Sequence, residues 1–389
     1  MSEPVVIIGA GQAAAQLAAS LRQGGFTAPI TMVGDECYAP YQRPPLSKKF
    51  FTERADPKTL YLRTEKYWSD HNVSLLLGSA VRAVERADRT VALANGRALK
   101  YGTLVFATGT RARSLPIPGL DLAGVYSLRA IDHVFALRAA VDAAAHTVII
   151  GGGYIGLEVA AVLRGEGRAV TVLEAAERML KRVAGPDVSG FYECFHRDKG
   201  VELRTGVGVA ALEGTSRVEA VRVADGESLA ADLVLVAAGS RANDDLAAAA
   251  GFACADGILV DAAAQADTAG VYAIGDCSRF HSKRYDCRVR LENVQNAVDQ
   301  AKAAAAAMLG RPGVYDPVPW FWSDQYNLKL QSVGLLTGYD EARVAGDPAA
   351  ARFSVEYRKA GKLIALDAIN DARAYMIARK QMSVETAVV

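Results

Sequence analysis

Cysteine is scarce in this chain, and the spacing of the few cysteines excludes two kinds of redox centre. The 389 residues include five scattered cysteines, which are Cys37, Cys194, Cys254, Cys277 and Cys287. No two of them form a CxxC or CxxxxC pair. A redox-active disulfide needs such a close pair, and an iron–sulfur cluster needs four cysteines at cluster spacing. We therefore expect neither centre in this chain. Cys37 follows an acidic strand end and is expected to be a small, buried or partly buried side chain, with a catalytic thiol as the alternative.

Long apolar runs, net charge and metal-ligand spacing are missing as well. No run approaches the 18 apolar residues of a membrane-spanning helix, and a net charge of +1 gives no general argument for nucleic-acid binding. The five histidines show neither metal spacing nor the company of a catalytic triad, so we predict no metal site. The first apolar run begins at Val5, which leaves no room for a signal peptide, and we expect a cytoplasmic protein.

The chain does contain the same glycine-rich pattern twice. A short apolar run, typical of a buried strand, comes first at residues 5–8 and again at residues 147–150. Each run leads into a GxGxxG-like turn and a helical stretch, at Gly9, Gly11 and Ala14 and again at Gly151, Gly153 and Gly156. A second strand then ends in acidic residues, Asp35 and Glu36 in the first copy and Glu174 in the second. Two such patterns in matched context predict two dinucleotide-binding domains.

The residue types in these turns suit a pyrophosphate. The first glycine permits a tight turn, the second lets the backbone approach the phosphates, and the third position must be small for helix and strand to pack. The helix N-terminus then offers free N–H groups to the phosphates. Glu174 should accept hydrogen bonds from the ribose hydroxyls of an adenosine and repel a 2′-phosphate. Arg178 is the only nearby cation, so the second site is expected to prefer NADH to NADPH.

The order of apolar strands, small-residue turns and proline-rich stretches predicts an α/β protein. It should have two Rossmann-like domains, one inserted in the other, and a small C-terminal α+β domain. The first domain is expected at residues 1–113 and 243–315, the second at 114–242 and the third at 316–389. Both dinucleotide domains end on an apolar strand and a small-residue turn, the second at Gly239. Residues 270–276 and a helix over 293–309 are expected to return to the first domain. In the third domain we expect strands at residues 329–333, 352–357 and 363–367 and a helix at about 371–381.

Four strings carry a resemblance to a known family: residues 40–48, 151–158, 275–281 and, most distinctively, 319–325. Over essentially its whole length the chain resembles the FAD-dependent, NADH-linked ferredoxin reductases of bacterial oxygenase systems, which have a glutathione reductase-like fold. The resemblance implies FAD at the first pattern, NADH as co-substrate at the second, and a C-terminal domain that covers the flavin. It assigns contacts with FAD to Ala13, Asp35, Lys48, Val81, Arg129, Asp276 and Val294. Further FAD candidates are Glu36, Arg43 and Trp322, and Tyr154 and Ile155 join the NADH site.

Lys48 and Glu158 match a pair that flanks the flavin ring in that family, where the cation can stabilise charge on reduced flavin. Their alternative interpretation is ordinary solvated charge. Trp320 and Trp322 are two residues apart, so on a strand they share a face, where they would either pack in the core or line a pocket or docking surface.

One segment is locally basic, and it should lie beside the flavin. It contains Arg279, Lys283, Arg284, Arg288, Arg290 and Lys302. A solvated basic face is one interpretation. The other is a docking surface for a 2Fe–2S ferredoxin near Arg279, Arg288, Arg290, Lys302 and Trp320.

These observations predict an enzyme that takes hydride from NADH onto FAD and gives single electrons to a ferredoxin serving a haem-thiolate monooxygenase. Three groups of alternatives stay open. The first is a different acceptor, either a component of a ring-hydroxylating dioxygenase system or a rubredoxin. The second is a small-molecule or quinone reductase or an NADH oxidase. Lastly, shared fold alone would allow an NADH-binding signalling flavoprotein.

Overall fold

The computed structural model describes residues 3–384, which form two compact units built from interleaved stretches of the chain. The first unit contains residues 3–42, 56–111 and 241–319, and the second contains residues 43–55, 112–240 and 320–384. Residues 320–384 thus belong to the same unit as residues 112–240. The division into three domains stays a prediction, and its outermost residues, 1–2 and 385–389, lie outside the described residues.

The first stretch of the chain supplies the following elements. Its strands are β1 (Val5–Ile8), β2 (Ile30–Val33), β3 (Val73–Leu76), β4 (Val81–Glu85), β5 (Thr90–Leu93), β6 (Ala98–Lys100), β7 (Thr103–Phe106) and β8 (Thr110–Ala112). Its helices are α1 (Gln12–Gln23), α2 (Lys49–Glu53) and α3 (Glu65–Asp70), with short 3-10 helices at Pro44–Ser47 and Pro57–Leu60.

The middle stretch repeats this alternation. Its strands are β9 (Val125–Tyr126), β10 (His146–Ile150), β11 (Ala169–Glu174), β12 (Glu202–Thr205), β13 (Val209–Glu213), β14 (Ala220–Val223), β15 (Ser228–Ala230), β16 (Leu233–Val236) and β17 (Ser240–Ala242). Its helices are α4 (Ile131–Val141), α5 (Tyr154–Gly165) and α6 (Pro186–Asp198).

The last stretch returns to the first unit and then forms the C-terminal sheet. Its strands are β18 (Ile258–Val260), β19 (Val271–Ala273), β20 (Ser278–Ser282), β21 (Cys287–Val289), β22 (Trp320–Gln325), β23 (Leu328–Gly334), β24 (Glu341–Asp347), β25 (Arg352–Lys359) and β26 (Lys362–Ile369). Its helices are α7 (Asp245–Ala249), α8 (Val294–Met308) and α9 (Ala372–Val384), with a 3-10 turn at Gly275–Cys277.

Each unit contains a five-stranded parallel sheet of the same layout. The strand order is β19–β7–β1–β2–β3 in the first unit and β9–β16–β10–β11–β12 in the second. The central strand holds equivalent neighbours in both, since Ile7 pairs with Met32 and Val105 while Ile149 pairs with Val172 and Leu235. Each unit also has a three-stranded antiparallel sheet, β4–β5–β6 or β13–β14–β15. The predicted pair of Rossmann-like domains is confirmed.

Alanine determines how helices pack in the first core. Helices α1 and α8 bury Ala14, Ala18, Ala301 and Ala304 in one apolar cluster, each at 0% exposure. Small side chains allow two helix backbones to approach closely, so both helices can lie on the central strand β1. The helix that begins at the first glycine-rich turn is therefore packed against α8.

The C-terminal residues form a five-stranded antiparallel sheet in the order β22–β23–β26–β25–β24, followed by α9. The strands expected at residues 329–333, 352–357 and 363–367, and the helix expected at 371–381, are confirmed with somewhat longer bounds. Within residues 3–384, we find no helix with the length and apolar character needed to cross a membrane.

Candidate active site and cofactor cradles

The first glycine-rich turn joins β1 to α1 in a shape that requires glycine at its first position. Gly9 has φ +113°, and a Cβ atom added there would lie 2.1 Å from the carbonyl oxygen of Ala107. Gly11 is the extended N-cap of α1, and a Cβ atom added there would meet no described atom within 4 Å. Ala13 and Ala14 are buried in the first turn of the helix. The turn thus leaves open space in front of the N-terminus of α1.

We call the glycine-rich turn at residues 9–14 the first cradle and the turn at residues 151–156 the second. The Gly-Asp turn after β19 lies beside the first cradle. A Cβ atom on Gly275 would lie 3.1 Å from the Cβ atom of Ala13, so the two turns are neighbours. Asp276 is half-buried in this turn, and its Oδ2 atom lies 3.4 Å from the donating hydroxyl of Thr110. The structure therefore brings two of the predicted FAD residues, Ala13 and Asp276, to one place. A third, Val294, is the first residue of α8.

The acidic end of β2 is at the surface of the same unit. Asp35 is exposed, while Glu36 is half-buried and accepts a hydrogen bond of 2.5 Å from the hydroxyl of Tyr41. Val81 is half-buried at the start of β4. The expectation for Cys37 was wrong, because its thiol is exposed. The chain has already left the sheet after Val33, so Cys37 lies in a surface bend and not in the core.

The second cradle repeats the first with a stricter third position. Gly151 has φ +115°, and a Cβ atom added there would lie 2.4 Å from the carbonyl oxygen of Ala237. Gly153 is the extended N-cap of α5, with no described atom within 4 Å of an added Cβ atom. A Cβ atom on Gly156 would lie 2.1 Å from the carbonyl oxygen of Gly151. Alanine is native at the corresponding Ala14 of the first cradle, whereas α5 allows only glycine.

The acidic residue of the second cradle is fixed by backbone N–H groups. The Glu174 carboxylate accepts hydrogen bonds from the N–H groups of Gly152, at 2.7 Å, and Ala176, at 2.8 Å. The only cation suggested by the sequence, Arg178, donates to the carbonyl oxygens of Ala184 and Lys181 and to the hydroxyl of Ser189. Its guanidinium is therefore held by the loop that follows β11 and by Ser189 of α6. The other predicted residues of this site differ in exposure: Ile155 is exposed, and Tyr154 and Gly239 are half-buried.

Both cradles fit a dinucleotide. In the described chain, neither Gly11 nor Gly153 is accompanied by a side-chain cap, so the first N–H groups of α1 and α5 remain available beside the open space. Such N–H groups and the positive end of the helix dipole attract phosphate. The residues present therefore suit the pyrophosphate of FAD at the first turn and that of a nicotinamide dinucleotide at the second.

Lys48 and Glu158 form a largely buried ion pair. The Lys48 Nζ atom lies 2.7 Å from Glu158 Oε1, and the side chains are 18% and 4% exposed. The hydroxyls of Ser47 and Ser323 also donate to this carboxylate, at 2.5 and 2.6 Å. A buried ion pair is tolerated when additional hydrogen bonds satisfy its charges, as they do here. The arrangement holds an ammonium group in a fixed position, where it can stabilise a neighbouring negative charge.

Two further predicted FAD residues also meet. The Arg43 Nη1 atom donates to the backbone oxygen of Arg129 over 2.7 Å.

Trp320 and Trp322 share a face of β22, as expected, with ring centroids 5.8 Å apart. The guanidinium of Arg379 lies 4.8 Å from the Trp320 ring centroid. The Trp320 ring therefore contacts both an aromatic ring and a cation.

The basic segment is less uniform than its sequence indicates. Arg290 is only 10% exposed and pairs with Asp256, at 3.3 Å, and with Glu292. Arg288 and Lys302 are exposed, and Arg279 is half-buried with one hydrogen bond to the carbonyl oxygen of Ala255. Arg290 thus contributes to the internal structure, while Arg288 and Lys302 are exposed and Lys302 forms a surface ion pair with Asp299 at 3.4 Å.

A second buried carboxylate lies in the C-terminal sheet. Asp367 is 2% exposed and accepts hydrogen bonds from the hydroxyls of Ser332, at 2.6 Å, and Tyr357, at 2.8 Å. The Tyr357 hydroxyl in turn accepts from the N–H of Gly185, at the N-cap of α6. Burial raises the pKa of Asp367 to about 6, although both hydroxyl donors oppose this shift.

Replacement of Asp367 by asparagine is expected to change the pH dependence of stability. Between about pH 4 and pH 6 the unfolded carboxyl is ionised while the folded one holds its proton, so the wild-type free energy of unfolding falls as pH rises. The wild type loses at most about 3 kcal/mol of unfolding free energy in this way. We expect the free energy of unfolding of Asp367→Asn, relative to that of the wild type, to be about 2 kcal/mol higher at pH 7.5 than at pH 4.5, as measured by urea unfolding. A difference that does not vary with pH would contradict this.

Sequence reasoning missed the polar neighbours of Glu158. Ser47 and Ser323 donate to it directly, and Gln325 and His196 extend the same network. Three of these lie within the strings of residues 40–48 and 319–325 that carried the resemblance, which was the available signal. His196 had no signal, because its partner is far away in the sequence. Among residues 3–384, no group of His, Cys, Asp or Glu could hold a metal ion.

Comparison with known proteins identifies the family. Residues 3–301 match the family model described as pyridine nucleotide-disulphide oxidoreductase, and residues 320–388 match the one described as reductase C-terminal. The chain is 43% identical to a ferredoxin–NAD(P)+ reductase from a Sphingomonas species, over 96% of this chain and 91% of that protein.

Two solved structures are also similar to it. One is a ferredoxin reductase for the CYP199A2 system from Rhodopseudomonas palustris, with TM-score 0.95 and 41% identity over 97% of this chain and 94% of that one. The other is a covalent putidaredoxin reductase–putidaredoxin complex, with TM-score 0.93 and 40% identity over 97% and 93%. The resemblance to ferredoxin reductases is thereby confirmed. The chain belongs to the pyridine nucleotide-disulphide oxidoreductase family and is an FAD-dependent oxidoreductase that uses NAD(P)H.

Proposed function

We propose that this chain passes electrons from NADH, through FAD, to a 2Fe–2S ferredoxin that serves a haem-thiolate monooxygenase. FAD, when bound, accepts a hydride from NADH and can release its two electrons one at a time. The chain's own residues bind both dinucleotides and hold a cation for the reduced state. We place the reaction in the cytoplasm, where NADH is supplied.

The matched pair of glycine cradles carries this proposal. Gly11 and Gly153 each leave open space before an uncapped helix N-terminus in the described chain, and the two sheets share one strand order. We assign the resident FAD to the first cradle and the co-substrate NADH to the second, as the resemblance implies. Two such sites in one chain are what transfer of electrons between two dinucleotides requires.

The second cradle supports NADH as the natural donor. Glu174 holds a carboxylate at the end of β11, where it would repel a 2′-phosphate, and Arg178 is committed to Ala184 and Ser189. The 2′-phosphate of NADPH is usually bound by an arginine near the ribose, and that arginine must be free to turn toward the ligand. We therefore propose that NADPH is the poorer substrate.

For the flavin we propose two roles. Lys48 stabilises negative charge on reduced FAD, and Glu158 holds the Lys48 ammonium in place through their 2.7 Å ion pair. The remaining FAD residues stay predictions: Asp35, Val81, Arg129 and Val294 come from the resemblance, and Glu36, Arg43 and Trp322 are the further candidates.

For the partner we propose docking at the exposed part of the basic segment. Arg288 and Lys302 are exposed there, whereas Arg290 is held by Asp256 and Glu292. Arg279 and Trp320 are proposed to take part as well. The names of the solved relatives support a ferredoxin partner, one being bound to putidaredoxin and the other serving the CYP199A2 system.

The acceptor is tested by reducing the FAD-loaded protein with NADH or NADPH and following four acceptors: a 2Fe–2S ferredoxin from the same source, a rubredoxin, a quinone and oxygen. We expect NADH to be the faster donor and the ferredoxin the fastest acceptor. The ferredoxin rate should fall about tenfold between low and about 300 mM salt, because salt screens charge attraction. Arg288→Glu should lower the low-salt rate by about tenfold.

Lys66→Glu is the matched control, since Lys66 is 79% exposed in the same unit but outside the basic segment. Its ferredoxin rate should equal that of the wild type. If the flavin is reduced quickly but only quinone, oxygen or rubredoxin reoxidises it, the ferredoxin assignment is wrong. Equal loss in Arg288→Glu and Lys66→Glu would contradict the docking surface alone.

A further inference from the structure

One face of strand β22 contacts two helices of the second dinucleotide domain at three successive positions. Residues two apart on a strand share a face, and Phe321, Ser323 and Gln325 form such a set. The Phe321 ring stacks on Tyr154, with ring centroids 4.6 Å apart. Ser323 bonds to Glu158, one turn further along α5. The third position, Gln325, reaches α6.

The contact at Gln325 extends the hydrogen bonds of Glu158 into the core. Its Nε2 atom donates to the Ser323 hydroxyl oxygen at 3.2 Å, and its Oε1 atom lies 2.8 Å from His196 Nε2. All three side chains are buried, with Ser323 and His196 at 0% and Gln325 at 1% exposure. The chain from His196 to Glu158 is therefore shielded from water.

The direction of each hydrogen bond follows from chemistry. An amide oxygen can only accept, so His196 Nε2 carries the proton. Burial lowers the pKa of His196, which favours the neutral ring with its proton at Nε2. The Gln325 amide then donates to Ser323, and the single hydroxyl proton of Ser323 goes to Glu158. Every donor points toward the carboxylate.

We infer that Ser323 and Gln325 are positioning residues that hold the Glu158 carboxylate, and through it the Lys48 ammonium, in place for electron transfer from NADH to FAD. This inference rests on the proposed roles of Lys48 and Glu158. Since Ser47 and Lys48 approach the carboxylate from one segment and Ser323 from another, loss of Ser323 leaves the carboxylate anchored on one side only. A positioned charge acts strongly only if its supports are rigid.

The test is stopped-flow reduction of FAD by NADH, with the FAD midpoint potential measured on the same protein. Ser323→Ala should lower the limiting reduction rate about tenfold, with the NADH dissociation constant within about twofold of wild type. The potential should become more negative, because the cation that favours reduced FAD is no longer fixed. Ser354→Ala is the matched control: Ser354 is 4% exposed on β25 of the same sheet, and both readouts should stay at wild-type values.

A second variant keeps the inference open to refutation if Ser323→Ala loses FAD. Gln325→Met preserves side-chain volume but removes the hydrogen bonds from Gln325 to Ser323 and from His196 to Gln325. It should lower the limiting rate of FAD reduction about threefold, and the FAD midpoint potential should also become more negative. Wild-type rate and potential in the folded variant overturn the inference. Lys48→Met distinguishes failure of this inference from failure of the proposed role of Lys48. If Lys48→Met also leaves the reduction rate unchanged, the proposed role of Lys48 has failed. If Lys48→Met is slow while Ser323→Ala has the wild-type rate, only the positioning role of Ser323 and Gln325 is refuted.

Discussion

Gly156→Ala should weaken binding of NAD+ to the oxidised, FAD-loaded protein by at least about tenfold and cost about 2 kcal/mol of unfolding free energy. The added methyl group would lie 2.1 Å from the carbonyl oxygen of Gly151. A backbone carbonyl oxygen cannot rotate away as a side chain could, so α5 must move away from the turn that receives the pyrophosphate. The N–H groups at its N-terminus move with it, and their distance to the phosphates sets the affinity.

Gly165→Ala provides the control on the same helix. Gly165 is the last residue of α5, and a Cβ atom there would meet no described atom within 4 Å. Its substitution should leave NAD+ affinity unchanged and, through the better helix propensity of alanine, add up to about 1 kcal/mol of stability. Titration of NAD+ and urea unfolding of the two variants give both numbers. Wild-type affinity in Gly156→Ala would show that the close approach does not position α5.

Removal of either charge from the Lys48–Glu158 pair should be the second large effect. Glu158→Gln leaves the ammonium without its carboxylate, and Lys48→Met leaves a carboxylate that is 4% exposed. Breaking a buried pair by removing one partner costs about 3 kcal/mol or more of unfolding free energy. We expect the double variant to recover about 2 kcal/mol of the summed loss, because neither charge is then left alone. Both single variants should also slow the reduction of FAD by NADH about 100-fold.

The pair Arg54–Asp142 is the control for this double-mutant cycle. It lies in the same unit at 2.6 Å, but its side chains are 66% and 54% exposed. Water and salt screen such a pair, so the coupling between Arg54→Met and Asp142→Asn should stay below about 1 kcal/mol. Urea unfolding of the wild type, the four single variants and the two double variants decides the comparison. If the Lys48 and Glu158 losses simply add, the two charges do not support each other.

The features that could be predicted from sequence are those encoded by neighbouring residues. Gly9 and Gly151 adopt positive φ within a few residues of an apolar strand, so pattern and conformation coincide. The same holds for the alanine-rich helix α8 and the strands of the C-terminal sheet. Cys37 was placed wrongly because burial depends on where the chain turns after β2, which spacing does not encode.

The support of Glu158 could not be predicted, because it depends on distant segments. Ser323 lies 165 residues after Glu158, and Gln325 lies 129 residues after His196. No periodicity relates such positions; only the packing of β22 against α5 and α6 brings them together. The burial of Arg290 could not be predicted for the same reason, because its partner Asp256 belongs to another loop. The number of basic residues in the basic segment therefore overestimated the positive charge that this segment presents to solvent.

The three contacts along one face of β22 restrict how such reductases can be recombined. A chimera that takes residues 320–389 from a relative separates Phe321, Ser323 and Gln325 from Tyr154, Glu158 and His196. These six positions would have to be inherited as matched pairs, even though a crossover before residue 320 looks natural in the chain. Exchange of the C-terminal sheet is thus an exchange of half of a hydrogen-bond network, and a donor for it should be chosen by the side chains at 154, 158 and 196.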